Sequence, residues 1–175
     1  MKTEPKTQEP MQPITLKQWA IAILAILTAV CALMGTDLYI PAMPDMAKSL
    51  HVMPSDIQMT ITVYLLGIGF GALFYGPLSD KIGRKPAMLS GMLTGLIGCL
   101  LIIYARNINL IIIGRLIQGL GASAGICIAT SIIMDTISDK KQIAFISSYL
   151  ALFMGLSPLL APPIGGYLTH LFNWR

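Results

Sequence analysis

The sequence predicts an all-α membrane protein, a polytopic bundle of five transmembrane helices. Of its 175 residues, 55% are hydrophobic and only 11% are charged, whereas a soluble domain carries about 25% charged residues. The mean hydropathy is +0.73, and charge is nearly absent from five long stretches of a length that can cross a bilayer. This composition argues against a soluble enzyme, a nucleic-acid-binding protein and a disordered chain, so the lipid bilayer is the expected solvent.

The elements follow in chain order. Residues 1–16 hold three prolines among polar groups and lack the apolar core of a signal peptide, which predicts a disordered cytoplasmic tail. Each charge-poor stretch after the tail predicts one helix, because a spanning helix needs about 20 apolar residues. The last stretch contains three prolines but is too short for two crossings, so it predicts a single helix. The predicted helices cover about 17–40, 57–78, 86–105, 108–134 and 142–168.

The connections between these helices predict an orientation. Residues 41–56 are expected to form a polar loop, and the other connections are short. Eight basic residues lie in the tail and the second and fourth connections, against three in the first and third connections and the C-terminus, so the N-terminus is predicted to be cytoplasmic. The eight are Lys2, Lys6, Lys17, Lys81, Arg84, Lys85, Lys140 and Lys141, and the three are Lys48, Arg106 and Arg175.

No cofactor, metal or enzymatic site is predicted. Cys31, Cys99 and Cys127 lie in apolar stretches without metal-site spacing, and packing roles are expected for them. Two G-x-G-x-x-A patterns lie inside apolar helical stretches, where a dinucleotide site would need a preceding strand. No Ser-His-Asp or Cys-His grouping can be assembled within one membrane leaflet. The predicted partners are therefore lipid and small molecules, with no nucleic acid.

The connection between the second and third helices has the most specific pattern, GPLSDKIGRKP from Gly76 onward. Gly76 permits close helix contact, and Gly83 can take a positive φ in a tight turn. Asp80 can pair with Arg84, while Arg84 and Lys85 hold the cytoplasmic side. Without further context the segment could be an ordinary basic anchoring turn.

This loop resembles the signature loop of the major facilitator superfamily, G-x-L-x-D-r-x-G-r-k. Two further stretches resemble its twelve-helix drug:proton antiporter group. Residues 37–44, DLYIPAMP, resemble the l-Y-x-P-a-x-P ending of helix one, and residues 113–122, IGRLIQGLGA, resemble the helix-four motif R-x-x-q-G-x-g-a.

Residues 157–166, SPLLAPPIGG, resemble the helix-five antiporter motif g-x-x-x-G-P-x-x-G-G. Pro162, Gly165 and Gly166 match it, whereas Ser157 and Ala161 stand where the motif has glycine. Together with residues 36–39, this stretch is similar to the bicyclomycin-resistance (Bcr/CflA) branch. The resemblance implies a conformational gating loop at residues 76–85 and an antiporter motif on helix five.

The resemblance covers only helices one to five of a fold that has twelve. It implies the N-terminal portion of a transporter half in a bacterial inner membrane, from which helix six and the C-terminal half are missing. Such a transporter exchanges small hydrophobic or cationic drugs for protons by alternating access, with cargo between two rocking halves. The chain is accordingly expected to be a fragment that is inactive alone.

Two charges in the spans are the candidate coupling residues, because charge inside a membrane is costly and tends to be functional. In one interpretation Asp37 exchanges a proton or meets a cationic drug, and Arg115 tunes it. In the other, the two charges neutralise each other and lock helices one and four together. The resemblance supports a coupling role for Arg115. Residues that could line an adaptable apolar pocket are Met34, Tyr39, Tyr64, Gln118 and Met154.

Two alternative functions remain open on the sequence. A facilitator-fold importer or metabolite exporter could use the same scaffold, although importers usually lack proline followed by a glycine pair at the spacing of residues 162–166. A non-transporting five-span membrane assembly protein is the alternative from another class.

Overall fold

The computed structural model of the chain describes residues 14–172. The predicted disordered tail therefore lies outside the described residues except for its last three. Within the described range the elements are six α-helices and one 3₁₀ turn, with no strand. They are α1 (Leu16–Asp37), the 3₁₀ turn (Ile40–Ala42), α2 (Met43–Leu50), α3 (Pro54–Ile82), α4 (Arg84–Ile103), α5 (Ile108–Thr136) and α6 (Lys140–Phe172).

The prediction of an all-helical bundle with five spans is confirmed. Residues 14–172 contain five helical segments that are long and apolar enough to cross a membrane, formed by α1 with α2 and by α3, α4, α5 and α6. Large apolar side chains on their outer faces remain exposed, among them Leu73 and Phe74 of α3. In a protein that has lipid as its solvent, these side chains face the acyl chains.

Local signals explain where the helices begin. Thr15 accepts a hydrogen bond from the backbone N–H of Gln18, and the Gln18 side chain accepts one from the Thr15 backbone, so a capping box opens α1. Asn107 opens α5 by accepting from Leu110 N–H at 2.9 Å. Gly83 separates α3 from α4 with a φ of +93°, a conformation that favours glycine.

The expectation of a loop throughout residues 41–56 is wrong, because α2 lies within it. Its composition is polar, but Met46 is buried in a cluster with Ile57, while Asp45 and Lys48 face outward. The helix ends at His51, which has a left-handed φ of 53°. Met46, together with the partly buried Met43, Ala47 and Leu50, therefore docks this short helix beside the start of α3.

The fifth span is a single helix, as expected, and α6 continues from Lys140 to Phe172 through Pro158, Pro162 and Pro163. Proline removes backbone N–H donors, but transmembrane helices tolerate it when neighbouring groups satisfy the freed carbonyls. The other four spans end within a few residues of the predicted positions.

The core of the bundle is α5, which packs against α1, α3 and α4, whereas α6 packs on α1, the 3₁₀ turn and the C-terminal end of α5. Glycines bring the backbones of α3 and α5 together. A Cβ added at Gly119 would overlap the Tyr64 carbonyl oxygen, and one added at Gly67 would lie 2.6 Å from the Leu116 carbonyl oxygen. Small residues permit such approach where lipid provides no hydrophobic drive between helices.

Candidate functional site

Arg115 lies in the interior of the bundle, where α5 meets α1 and α3. Its side chain is only 4% exposed. One terminal nitrogen, Nη1, donates to the Gly35 carbonyl oxygen of α1 and to Oε1 of Gln118, both at 3.1 Å. Its Nε is buried without a hydrogen-bond partner among the described residues. A buried guanidinium with an unused N–H donor can donate a hydrogen bond to a further polar or anionic group.

Two tyrosines complete the surroundings of this charge. The Arg115 Cζ lies 3.4 Å from the centroid of the Tyr39 ring and 5.7 Å from that of Tyr64, within the range of cation–π attraction. Both rings are fixed by their hydroxyls, since Tyr39 bonds Thr60 at 2.9 Å and Tyr64 donates to the Ala32 carbonyl at 2.6 Å. The guanidinium is therefore compensated by aromatic faces and a backbone carbonyl.

Asp37 ends α1, two residues beyond the carbonyl that Arg115 binds. It is partly buried, and its Oδ2 accepts a hydrogen bond from Oγ of Ser157 on α6 at 2.8 Å. Within residues 14–172, the ion pairs closer than 4.0 Å do not include Asp37 with Arg115. The structure thus places the two charges around the same end of α1 without a direct salt bridge.

The loop between α3 and α4 is organised by Arg84. Its Nη1 donates to Asp80 Oδ1 and to Ser79 Oγ, both at 2.6 Å, and its Nε donates to Asp135 Oδ2 at 2.7 Å. Arg84 therefore ties the hairpin to the C-terminal end of α5 as well as to α3. Lys85 is exposed beside it.

The close helix contact expected at Gly76 is not present among the described residues, because a Cβ added there would meet no described atom within 4 Å. The contact of Asp135 with the loop was not foreseen in the sequence. The only indication in the sequence is the charge of Asp135 in the fourth connection, and no local pattern links this residue to Arg84.

The helix-five motif faces the C-terminal end of α1. A Cβ added at Gly165 would overlap the Leu38 carbonyl, whereas one at Gly166 would meet only Pro41, at 3.9 Å. Ser157 and Ala161 are buried on the same face, and Pro162 is half-buried. The two small residues that replace motif glycines therefore still allow α6 to lie close to α1.

A cavity of about 290 Å³ opens between α1, α4 and α5. Of the predicted lining residues, Tyr64 and Gln118 border it; Met34, Tyr39 and Met154 do not. Met154 packs instead against an apolar cluster formed by α1, the C-terminal end of α5 and α6. Gln118 joins this cavity to the charge, since its Nε2 donates to Cys99 Sγ at 3.1 Å while its Oε1 accepts from Arg115. The structure thus brings together only part of the predicted pocket.

A polytopic helix bundle with a compensated charge in its interior is the kind of structure expected of a membrane transporter. Comparison with known proteins agrees, because residues 25–175 match the profile of the Major Facilitator Superfamily. The chain therefore belongs to the major facilitator superfamily, a family of transporters, and the prediction that it is not an enzyme is confirmed.

Three curated relatives are drug-resistance proteins by name. The chain is 35% identical to the bicyclomycin resistance protein homolog of Haemophilus influenzae over 81% of its residues, and 34% identical to multidrug resistance protein D of Escherichia coli over 89%. It is 31% identical to the chloramphenicol resistance protein of Pseudomonas aeruginosa over 82% of its residues. The chain spans 35%, 39% and 34% of the lengths of these relatives. The resemblance to the bicyclomycin-resistance branch is thus confirmed.

Proposed function

We propose that the chain forms the N-terminal part of a drug:proton antiporter in a bacterial inner membrane, with its N-terminus in the cytoplasm. The observation that carries the proposal is the guanidinium of Arg115, buried in the bundle and bonded to α1 two residues before Asp37. A permanent charge placed beside a carboxylate on an adjoining helix is typical of proton-coupled transport. The names of the relatives supply the drug as cargo.

In this proposal Asp37 carries the proton. Its carboxylate takes up one proton from water on one side of the membrane and returns it on the other, and only this O–H bond forms and breaks. Arg115 donates to the Gly35 carbonyl and so holds α5 against α1 two residues before Asp37. Drug binding and proton binding then favour opposite orientations of the two halves, so the downhill proton movement drives the drug outward.

The described residues favour a small apolar or cationic drug as cargo. The cavity wall is formed largely by aliphatic, sulfur-containing and aromatic side chains, including Tyr64, Met88 and Met92. Such side chains adapt to different shapes without fixed hydrogen bonds. Asp37 does not border this cavity; its carboxylate, which accepts a hydrogen bond from Ser157, is the acidic group that a cationic drug would meet.

The test is a chimera in which this chain replaces the matching N-terminal part of the Escherichia coli relative. We expect the chimera to protect a drug-sensitive strain and, in everted vesicles, to release protons from the lumen when drug is added. The 175-residue chain alone should insert in the membrane but confer no resistance, because it supplies one wall of the site.

The matched control is the same chimera carrying Arg115→Ala, which should insert but show no drug-dependent proton release. Drug export by the chimera that continues after the proton gradient is collapsed would contradict proton coupling. Drug accumulation in intact cells, driven inward, would favour an importer. Resistance from the chain alone would contradict the proposed need for a partner half.

A further inference from the structure

The hydroxyl of Ser157 is directed differently from the other hydroxyls of α6 for which a bond is described. Ser148 and Thr169 donate to backbone carbonyls of their own helix, at 2.8 Å each. Ser157 instead donates across the helix interface to Asp37 at 2.8 Å. It is 2% exposed, and it stands at a position where the antiporter motif has glycine, which has no hydroxyl to offer.

The helix around Ser157 also offers this hydroxyl a second acceptor. Pro158 has no N–H, so the carbonyl of Met154 receives no helical hydrogen bond from position 158. That carbonyl lies three residues before Ser157, the spacing at which Ser79, Ser90 and Ser123 donate to their own helices. The hydroxyl of Ser157 therefore has two competing acceptors, the Asp37 carboxylate and the Met154 carbonyl.

The ionisation state of Asp37 determines which of the two acceptors the Ser157 hydroxyl binds. A hydrogen bond to an ionised carboxylate is about twice as strong as one between neutral groups, so the ionised form holds the hydroxyl on α1. A protonated carboxyl is a weaker acceptor, and the backbone carbonyl becomes the competitive partner. The other charged or titratable groups near this end of α1 are Tyr39 in its turn, Tyr64 from α3 and Arg115 from α5.

We infer that Ser157 is a positioning residue that couples the protonation of Asp37 to the position of α6. When Asp37 is ionised, its hydrogen bond with Ser157 holds the outer half of α6 against α1. When Asp37 is protonated, the hydroxyl turns to its own helix and α6 is released. The prolines at 158, 162 and 163 leave this half of α6 with fewer helical hydrogen bonds, so it can move without unfolding the inner half. The inference rests on the proposed role of Asp37 as proton carrier.

The test measures the α1–α6 distance directly and needs no transport. Spin labels are attached at cysteines placed at Ile40 and Leu168, both exposed, in the 175-residue chain with its native cysteines replaced and reconstituted in a bilayer. Double electron–electron resonance is recorded from acidic to alkaline pH. We expect a single short distance at high pH and a loss of that population as the pH falls.

The variants separate the hydroxyl from the size of the side chain. Ser157→Ala and Asp37→Asn should lack the short-distance population at every pH, whereas Ser157→Thr, which keeps the hydroxyl, should respond like the parent. Ser148→Ala is the matched control, because it removes an exposed hydroxyl that bonds only its own helix, and it should change nothing.

A parent without pH response, a Ser157→Ala variant that behaves like the parent, or a Ser157→Thr variant that loses the short distance would each overturn the inference. If the pH-dependent distance is present but the chimera shows no proton coupling, the proposed function fails and the structural coupling stands.

Discussion

Arg115 is held by groups that accept from a planar guanidinium rather than by a counter-charge. Its Nη1 donates to two acceptors on different helices, and its plane lies over the Tyr39 ring. A lysine has a compact ammonium that does not reproduce this stacked, forked arrangement. The contacts of Arg115 therefore depend on the shape of the guanidinium as well as on its charge, which agrees with its position at the meeting point of three helices.

The stability of the Arg115 and Asp37 variants tests whether the two charges act as a locking pair. Arg115→Ala leaves the Gly35 carbonyl and the Gln118 amide oxygen without their donor, so we expect a loss of about 1–3 kcal/mol in unfolding free energy. Asp37→Asn should fold, since asparagine keeps the size of the side chain, but should abolish drug-dependent proton release. Titration with denaturing detergent measures the stabilities.

The double variant Asp37→Asn with Arg115→Ala distinguishes the two interpretations. Because no direct salt bridge joins these residues, we expect its stability to match that of Arg115→Ala alone. If the double variant is clearly more stable than Arg115→Ala, the single variant was destabilised by the unpaired Asp37 carboxylate. The locking-pair interpretation would then hold.

The sequence allowed the charged residues of the site to be selected but not their partners. Arg115 and Asp37 could be singled out because charge is rare in apolar stretches. The carbonyl of Gly35, the ring of Tyr39 and the hydroxyl of Ser157 are contacts between helices far apart in the chain, and no local pattern encodes which helix faces meet. Met34 and Met154 are pocket candidates by residue type alone, and residue type does not determine the direction of a side chain.

At the scale of helices, the spans were predictable because lipid requires about 20 consecutive apolar residues whatever the packing. The short helix α2 is not evident in the sequence because charged and polar residues separate its apolar ones. Its docking depends on contacts of Met46 and its partly buried neighbours with residues of other elements. The continuation of α6 through three prolines, by contrast, agrees with the single helix that the sequence predicts. The cost of proline in water overstates its cost in a membrane helix, where breaking the helix would expose further backbone groups to lipid.

The close packing of α3 on α5 gives a prediction that compares two glycine-to-alanine changes, one at the interface and one away from it. Gly119→Ala places a methyl group against the Tyr64 carbonyl, and backbone cannot move aside as a flexible side chain can, so we expect a loss of about 1–3 kcal/mol. Gly69→Ala on α3 meets nothing within 4 Å and should be neutral or slightly stabilising, since alanine favours the helix. Thermal stability of the purified chain, read by size-exclusion chromatography, measures both. Equal effects of the two changes would contradict the assigned interface.

For the whole molecule, connectivity and contacts define two ends of the bundle. At one end, Arg84 binds Asp135, and Gln18 donates to the Thr136 carbonyl at 3.1 Å, joining the start of α1 and α4 to the end of α5. At the opposite end, α2 docks beside the start of α3 and α5. The excess of basic residues at the first end predicts that it faces the cytoplasm.

Cysteine labelling tests this orientation, and the structure guides the choice of positions. Lys48 on α2 and Lys85 at the start of α4 are both exposed, and Lys85 is preferable to Arg84 because it is not part of the ion-paired network. In a background without Cys31, Cys99 and Cys127, a membrane-impermeant maleimide added to intact cells should modify Lys48→Cys and spare Lys85→Cys. Both should react once the membrane is permeabilised, which controls for exposure. Modification of Lys85→Cys alone in intact cells would reverse the orientation, and the proton and drug movements proposed above would then run in the opposite direction across this half of the fold.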